Sequence, residues 1–307
     1  MPLFDEMRWL MEPEKKAAQF KILLGDDRSD HASAALALLE DLPMPSGTQV
    51  TVFRAFSPTQ ATDLVLMEDA LNQTCNRLKR RGMAAHPELL LGIPTVNFLK
   101  HAEEQKPDLI IIGARGLRAT TGILVGGVAQ QVVEYAACPV LVVRAPYHGI
   151  HEAMVVTDGS DSSRQALEFL GRLPLPEGAR LWVMHVLPPA PIPMLFVQTP
   201  MGSTPVAFQD LGEAAALGAK EELEGQALLE HALARLRAAG KPAAGILKRG
   251  DAASEIMDVV KEKNIDLVVT GSRGRSPITE WMMGSVSRKL VHYSGCSVLV
   301  VRLPKGE

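Results

Sequence analysis

The feature that most constrains this chain is a repeat. Shifted by 158 residues, DLIIIGARG (108–116) lies over DLVVTGSRG (266–274), and CPVLVVRAP (138–146) over CSVLVVRLP (296–304), with no gap between them. From Asp108 to Pro146, 17 of 39 positions are identical, far more than two unrelated stretches share, so the chain is a duplicated domain. At 307 residues each copy has the size of an ordinary domain with its own core.

Within each copy, short β-branched runs alternate with segments of helical spacing. In the second, EAMVVTDGS reads as a strand ending in a turn, SRQALEFLGRLP as a helix, RLWVMHVLPP as a strand, and EELEGQALLEHALARLRAAG as a long amphipathic helix stopped by Gly240. AGILKRG, DLVVTGS and SVLVVR read as strands, with helices in ASEIMDVVKEKNI and VSRKLVHYSG. The first copy repeats the plan from about residue 20 with FKILLGDD, TQVTVFRAF, a helix around DLVLMEDALNQTCNRLKRRG, a weak strand in AAHPELLLG, a helix NFLKHAEEQ and two strong strands. Such alternation needs crossover connections and hence a parallel sheet. The expected class is α/β: two tandem doubly wound domains, each a five-stranded parallel sheet with helices on both faces.

The expected domains are 20–146 and 151–304, after an extension, 1–19, in which MRWLM is either one docked helical turn or a frayed end. Residues 188–218, dense in proline and apolar side chains, fall outside the repeat; a functional lid and a disordered loop are both open readings.

A net charge of -3 gives no bulk attraction for nucleic acid or an anionic membrane. The first twenty residues lack the apolar core of a signal peptide, and no run approaches the ~18 apolar residues of a spanning helix. Cys75, Cys138 and Cys296 form no C-x-x-C pair, and Cys138 and Cys296 read as small packed hydrophobes at equivalent positions. The expectation is a cytoplasmic protein with neither nucleic acid nor membrane as partner.

Chemistry concentrates in GSRGRSPITEWMMGSVS (271–287), which begins at the carboxyl end of a parallel strand, where ligands of open α/β sheets bind. Gly271 and Gly274 permit close backbone approach, and Ser285 stands at a helix start that offers amides and a hydroxyl to an anion. Alternatively, the glycines only shape a turn and Ser285 only caps its helix. Arg273 and Arg275 could pair with phosphate or be solvated. Asp158 could face a ligand or cap a helix.

The strand DLVVTGSRG, the spacing of Gly271, Gly274 and Gly284-Ser285, the following Val286-Ser287 and the closing SVLVVR resemble the ATP-binding branch of the universal stress protein family, over nearly the whole chain. The resemblance implies adenine-nucleotide binding, slow or undetectable hydrolysis, and pairing through the last strand; the residues near the phosphate loop offer no identifiable general base, so no catalytic residue is expected. Here it implies an intrachain pseudo-dimer, with further homodimerisation and an unidentified protein partner left open. Carried over, Gly271, Ser272, Arg273 and Gly274 pass under the ribose and phosphates, while Gly284, Ser285, Val286 and Ser287 hold the phosphate tail. Thr157 and Asp158 match the adenine and ribose end, with Asp158 the candidate to assist magnesium, and Val186 offers backbone groups to adenine. His185 reads as a packing residue.

The first copy keeps Gly113, Gly116 and Gly126 but has Gly127 and Ala129 where Ser285 and Ser287 stand, so weaker nucleotide binding or none is expected there. Its LLGDDRSD aligns Gly25 and Asp26 with Thr157 and Asp158, or Asp27 with Asp158 after a one-residue slip. Two other functions stay open: an adenylating enzyme of the ATP pyrophosphatase type, from the likeness of VVTDGSDSS to its S-G-G-x-D-S loop, and a structural pseudo-dimer that binds no nucleotide.

Overall fold

The computed structural model describes residues 20–56, 63–116, 125–189, 194–199, 202–207, 211–274 and 283–302; MRWLM and Arg275 lie outside them. The first half runs β1 (Lys21–Gly25), α1 (Asp30–Asp41), β2 (Gln49–Phe56), α2 (Leu64–Arg80), β3 (Ala84–Leu91), α3 (Pro94–Gln105), β4 (Leu109–Gly113), α4 (Gly127–Tyr135) and β5 (Val140–Val143). The second runs β6 (Glu152–Val156), α5 (Asp161–Arg172), β7 (Arg180–Leu187), β8 (Met194–Thr199), β9 (Gly202–Ala207), α6 (Leu211–Ala238), β10 (Ala244–Arg249), α7 (Ala252–Glu262), β11 (Leu267–Gly271), α8 (Ser285–Tyr293) and β12 (Ser297–Val301).

The central strands LIIIG, VLVV, LVVTG and SVLVV are apolar almost without interruption because helices cover both faces of a parallel sheet. On one face α1, α2, α5 and α6 contribute Leu38, Leu71, Leu170 and Leu236 to a single buried cluster. On the other, α3, α4, α7 and α8 contribute Phe98, Val132, Ile256 and Leu290 to a second. Both clusters run through the two halves. The outermost strands β3 and β10 are largely exposed, and β3 tolerates Pro87 because an edge strand can lack a ladder donor.

All ten strands of the main sheet form one surface, in the order β10-β7-β6-β11-β12-β5-β4-β1-β2-β3. Each half therefore has the doubly wound order: all its strands in this sheet are parallel, and the direction in which successive strands are added to the sheet reverses between β1 and β4 in the first and between β6 and β11 in the second. The halves join where β12 pairs antiparallel with β5, and Leu299 opposes Leu141, its equivalent in the repeat. A pseudo-two-fold axis thus passes through that pair, which makes the expected intrachain pseudo-dimer a continuous sheet. Two equivalent arginines clamp the seam. Arg144 donates to Val291 O (2.7 Å) at the end of α8, and Arg302 donates to Glu134 O (2.8 Å) and Ala136 O (3.2 Å) at the end of α4. Each places a cation at the negative pole of a helix from the other half.

Residues 188–218 are not a plain loop. β8 and β9 form an antiparallel hairpin, with Leu195 opposite Val206, and α6 begins at Leu211, inside the segment read as an insertion. The correction has a simple cause: EAAALGAKEE is rich in strong helix formers and extends the helix back towards the hairpin. Gly240, with φ +75°, ends the helix region as expected.

Candidate functional site

The second half carries a cavity of about 220 Å³ at the reversal between β6 and β11, beyond the carboxyl ends of the strands. The ends of β6 and β11 supply Thr157, Asp158, Thr270, Gly271, Arg273 and Gly274, and the first turn of α8 supplies Ser285, Val286 and Ser287 after Gly284. Val186 lines it from β7, which runs on past the end of β6, where Val156 pairs with Met184. Of the eleven residues expected at the site, Ser272 alone does not line the cavity. It is buried, with its N–H on Val301 O (2.9 Å) and its carbonyl accepting from Gly284 N (2.8 Å). Its role is to hold the loop against β12 and the start of α8.

Gly271 is needed for close approach to backbone, and Gly274 leaves room for a side chain beside it. A Cβ on Gly271 would lie 2.6 Å from the Ser162 backbone in α5, and one on Gly274 would lie 2.8 Å from Asp158 Oδ2. The same holds in the first half, where a Cβ on Gly113 would meet the His31 backbone at 2.7 Å and one on Gly116 would meet Asp27 Oδ2 at 2.4 Å. Glycine spacing therefore reflects helix-to-strand packing in both copies and does not separate a ligand site from a structural turn. The hydroxyls and the cavity do.

Gly284, not Ser285, is the N-cap of α8, and Ser285 is its first residue, exposed at the cavity mouth. The opening amides of the helix have no partner one turn earlier, so they point out of the helix start. Ser287 is buried and donates to Gly271 O (2.7 Å), with Thr270 Oγ1 at 3.4 Å. Asp158 is not the cap of α5 either. That position belongs to Ser160, whose Oγ accepts from Ser163 N, while Asp158 Oδ1 accepts from Ser160 N at 3.0 Å. The other hydroxyls of VVTDGSDSS are engaged locally: Thr157 Oγ1 and Ser163 Oγ are 3.1 Å apart, Ser163 Oγ donates to Ser160 O (2.9 Å), and Ser162 Oγ accepts from Arg273 N at 3.2 Å. His185 is buried beside the site and donates from Nδ1 to Thr157 O (2.7 Å), a packing role.

Sequence reasoning missed Val156, Ser163, Ala252, Ile256, Thr270 and Met283, which also line the cavity. Thr270 carries a signal, since a polar residue interrupts the apolar strand where the first copy has Ile112.

The equivalent place in the first half carries bulkier apolar side chains and an ion pair. Asp27 lies against Gly116 as Asp158 lies against Gly274, so the alignment with the one-residue slip is the structural one and Asp26 stands where Thr157 does. Asp26 is held by Arg54, which donates to its carbonyl (2.6 Å) and to Oδ1 (3.0 Å), and by Thr74 Oγ1 at 2.9 Å. Phe98 and Ile112 replace Ile256 and Thr270, and both come within 3.3 Å of the Cβ position of Gly25. Phe98 also packs edge-on against Phe53, 5.1 Å between centroids.

Comparison with known proteins agrees with this duplicated plan. A family model described as the universal stress protein family matches residues 20–144 and again 149–302. A universal stress protein of Bacillus subtilis is 34% identical over 152 residues, half of this chain and 99% of that protein. One of Mycolicibacterium smegmatis is 24% identical over 94% of this chain and 99% of its own length. Among solved structures, a universal stress protein from Archaeoglobus fulgidus has a TM-score of 0.60 at 20% identity, covering 94% of this chain and 97% of its own. A Pseudomonas aeruginosa structure described as a putative universal stress protein has a TM-score of 0.63 at 13% identity, covering 92% and 93%. At these identities the structural likeness speaks for the fold. No helix among the described residues is long and apolar enough to cross a membrane.

Proposed function

The chain belongs to the universal stress protein family, and on that premise we propose that it binds one adenine nucleotide, ATP, in its second half and acts in stress response or regulation by holding it. The observation that carries this reading is the cavity at the reversal of the second half, lined by the end of β6, the glycine loop after β11 and the start of α8. Apolar walls from Val156, Val186 and Ile256 suit a flat base, and the Ser285 hydroxyl, the first amides of α8 and Arg273 suit phosphate oxygens.

Among the described residues of the lining, Asp158 is the one acidic side chain. Magnesium on a nucleotide takes one or two carboxylates beside phosphate oxygens, and Asp158 is the residue that would hold it. With this carboxylate engaged to the Ser160 amide, no separate general base for water stands among the described residues of the lining, which favours slow hydrolysis or none. In the first half, Phe98, Ile112 and the Asp26–Arg54 pair occupy the corresponding space, and Gly127 and Ala129 bring no hydroxyl. One nucleotide per chain follows.

The test is calorimetric titration of the full chain with ATP, beside Ser285→Ala. The hydroxyl deletion should weaken binding by roughly three- to tenfold, the worth of one hydrogen bond. An absence of saturable ATP binding, or identical affinity in the variant, would refute the assignment.

A further inference from the structure

Three buried guanidinium nitrogens of the second half have no hydrogen-bond partner among the described residues: Nε of Arg273, and Nε and Nη2 of Arg302. The sheet brings these two residues together. Gly271 pairs with Val301 and Ser272 N donates to Val301 O, so the chain leaves β11 and β12 side by side, with Arg273 and Arg302 next in line. Arg302 is pushed below the usual arginine range by burial first and by the charge of Arg273 next, against the opposing charge of Glu134. Glu134 is itself paired with Arg288 at 3.5 Å.

The Arg302 guanidinium is anchored, and the Arg273 backbone is fixed beside it. Nη1 of Arg302 is fixed on the Glu134 and Ala136 carbonyls, and the Arg273 backbone is held by Ser162 Oγ on one side and packed against Gly284 on the other. Both residues are half-buried, but unpaired N–H groups buried on two neighbouring cations are costly, and an anion relieves both the desolvation and the repulsion. The first half shows the alternative. Arg115, the equivalent of Arg273, directs Nε at His31 Nε2, 3.0 Å away. The second half has Ser162 at the His31 position, which is too short to take that role, and the partner is thereby withdrawn from Arg273.

We propose that Arg273 and Arg302 together form an oxyanion subsite at the seam between the halves, and that its occupant is a phosphoryl group. Its source is either the terminal phosphate of a nucleotide in the adjoining cavity, which rests on the reading above, or free inorganic phosphate. Because the same Arg302 guanidinium holds the end of α4, occupancy of this subsite bears on the contact between the halves.

The experiment compares AMP, ATP and inorganic phosphate on the full chain, unaltered and as Arg302→Met and Arg302→Lys. ATP should bind the unaltered chain about tenfold or more tighter than AMP, and Arg302→Met should abolish that preference while AMP affinity stays within about twofold. Lysine, which keeps the charge and a donor for the α4 carbonyls, should restore part of the preference. Equal affinity for AMP and ATP in the unaltered chain, or a preference that survives Arg302→Met, overturns the subsite, as does a variant that weakens AMP and ATP alike. If no adenine nucleotide binds, the functional reading fails and phosphate alone decides. Thermal stabilisation by phosphate that is lost in Arg302→Met upholds the subsite, and stabilisation that is absent or equal in both refutes it. Should Arg302→Met not fold, Arg302→Lys is judged by the same ratios.

Discussion

If the cavity of the second half is the nucleotide site, giving it the side chains that fill the first half should close it. The exchange is Ile256→Phe with Thr270→Ile, copying Phe98 and Ile112. Both positions are buried, and the Thr270 hydroxyl bonds Gly271 O (3.2 Å) and lies 3.4 Å from Ser287 Oγ; Ser287 itself donates to Gly271 O, so losing the Thr270 hydroxyl leaves that carbonyl satisfied. The ligand-free protein should therefore melt within about 2 °C of the parent, since volume added beside an existing cavity causes little overpacking. At a free ATP concentration of about 100 Kd, binding stabilises the parent by about 2.7 kcal/mol. With an unfolding entropy of about 2.1 cal/mol/K per residue, the 307 residues give about 0.6 kcal/mol/K, so ATP should raise the parent's Tm by about 4 °C. Scanning fluorimetry with and without ATP measures this directly. The double variant should show less than about 1 °C; an undiminished shift in a folded variant would refute the placement of ATP in this cavity.

The fold should weaken in mild acid. His31 and His292 are held below the ordinary 6.5 by burial first and then by Arg115 and Arg288 respectively. At His31, Arg115 Nε and Ala145 N face the two ring nitrogens, so a protonated ring would set an N–H against each. As pH falls below 6.5 the unfolded chain takes up protons first, and stability is lost until the folded-state values are passed. Urea midpoints at pH 7.5, 6.5 and 5.5 should show this fall, and His31→Ser should reduce it; an unchanged fall would refute the role of His31. The thiols should be inert in the native protein, because burial pushes Cys138 up to about 12 and raises Cys75 and Cys296. A thiol reagent at pH 8 should label none of the three until denaturant is added, and rapid native labelling would contradict their packing.

The parts of the fold that follow directly from residue order are those where burial dictates composition. Strands such as LIIIG and SVLVV are covered on both faces and must be apolar throughout, and the repeat around them places the seam strands in advance. β3 and β10 signal weakly because edge strands meet solvent and tolerate His86, Pro87 and Lys248. The hairpin β8–β9 is obscured by its prolines, which read as loop, while its register depends on pairing across the turn. At the site, glycine spacing picks out the loop that borders the cavity, yet the packing of α5 on Gly271 and of α1 on Gly113 requires a glycine there in both copies. The register slip at Asp27 becomes legible once the caps Ser29 and Ser160 are set over each other, since each follows its aspartate by the same interval. What residue order could not supply is the filling of the first site, because Phe98 comes from α3 and meets Ile112 and Gly25 only when the sheet is assembled.

The central claim is an asymmetry: one copy of the duplicated site holds ATP and the other is closed by its own side chains. Nucleotide stoichiometry tests it most directly, by titration of ATP into nucleotide-free full chain together with extraction and identification of any nucleotide that copurifies. The account predicts one ATP per chain. Two per chain would show that the first-half amides suffice despite Phe98, Ile112 and Gly127, and none would remove the nucleotide from the account altogether.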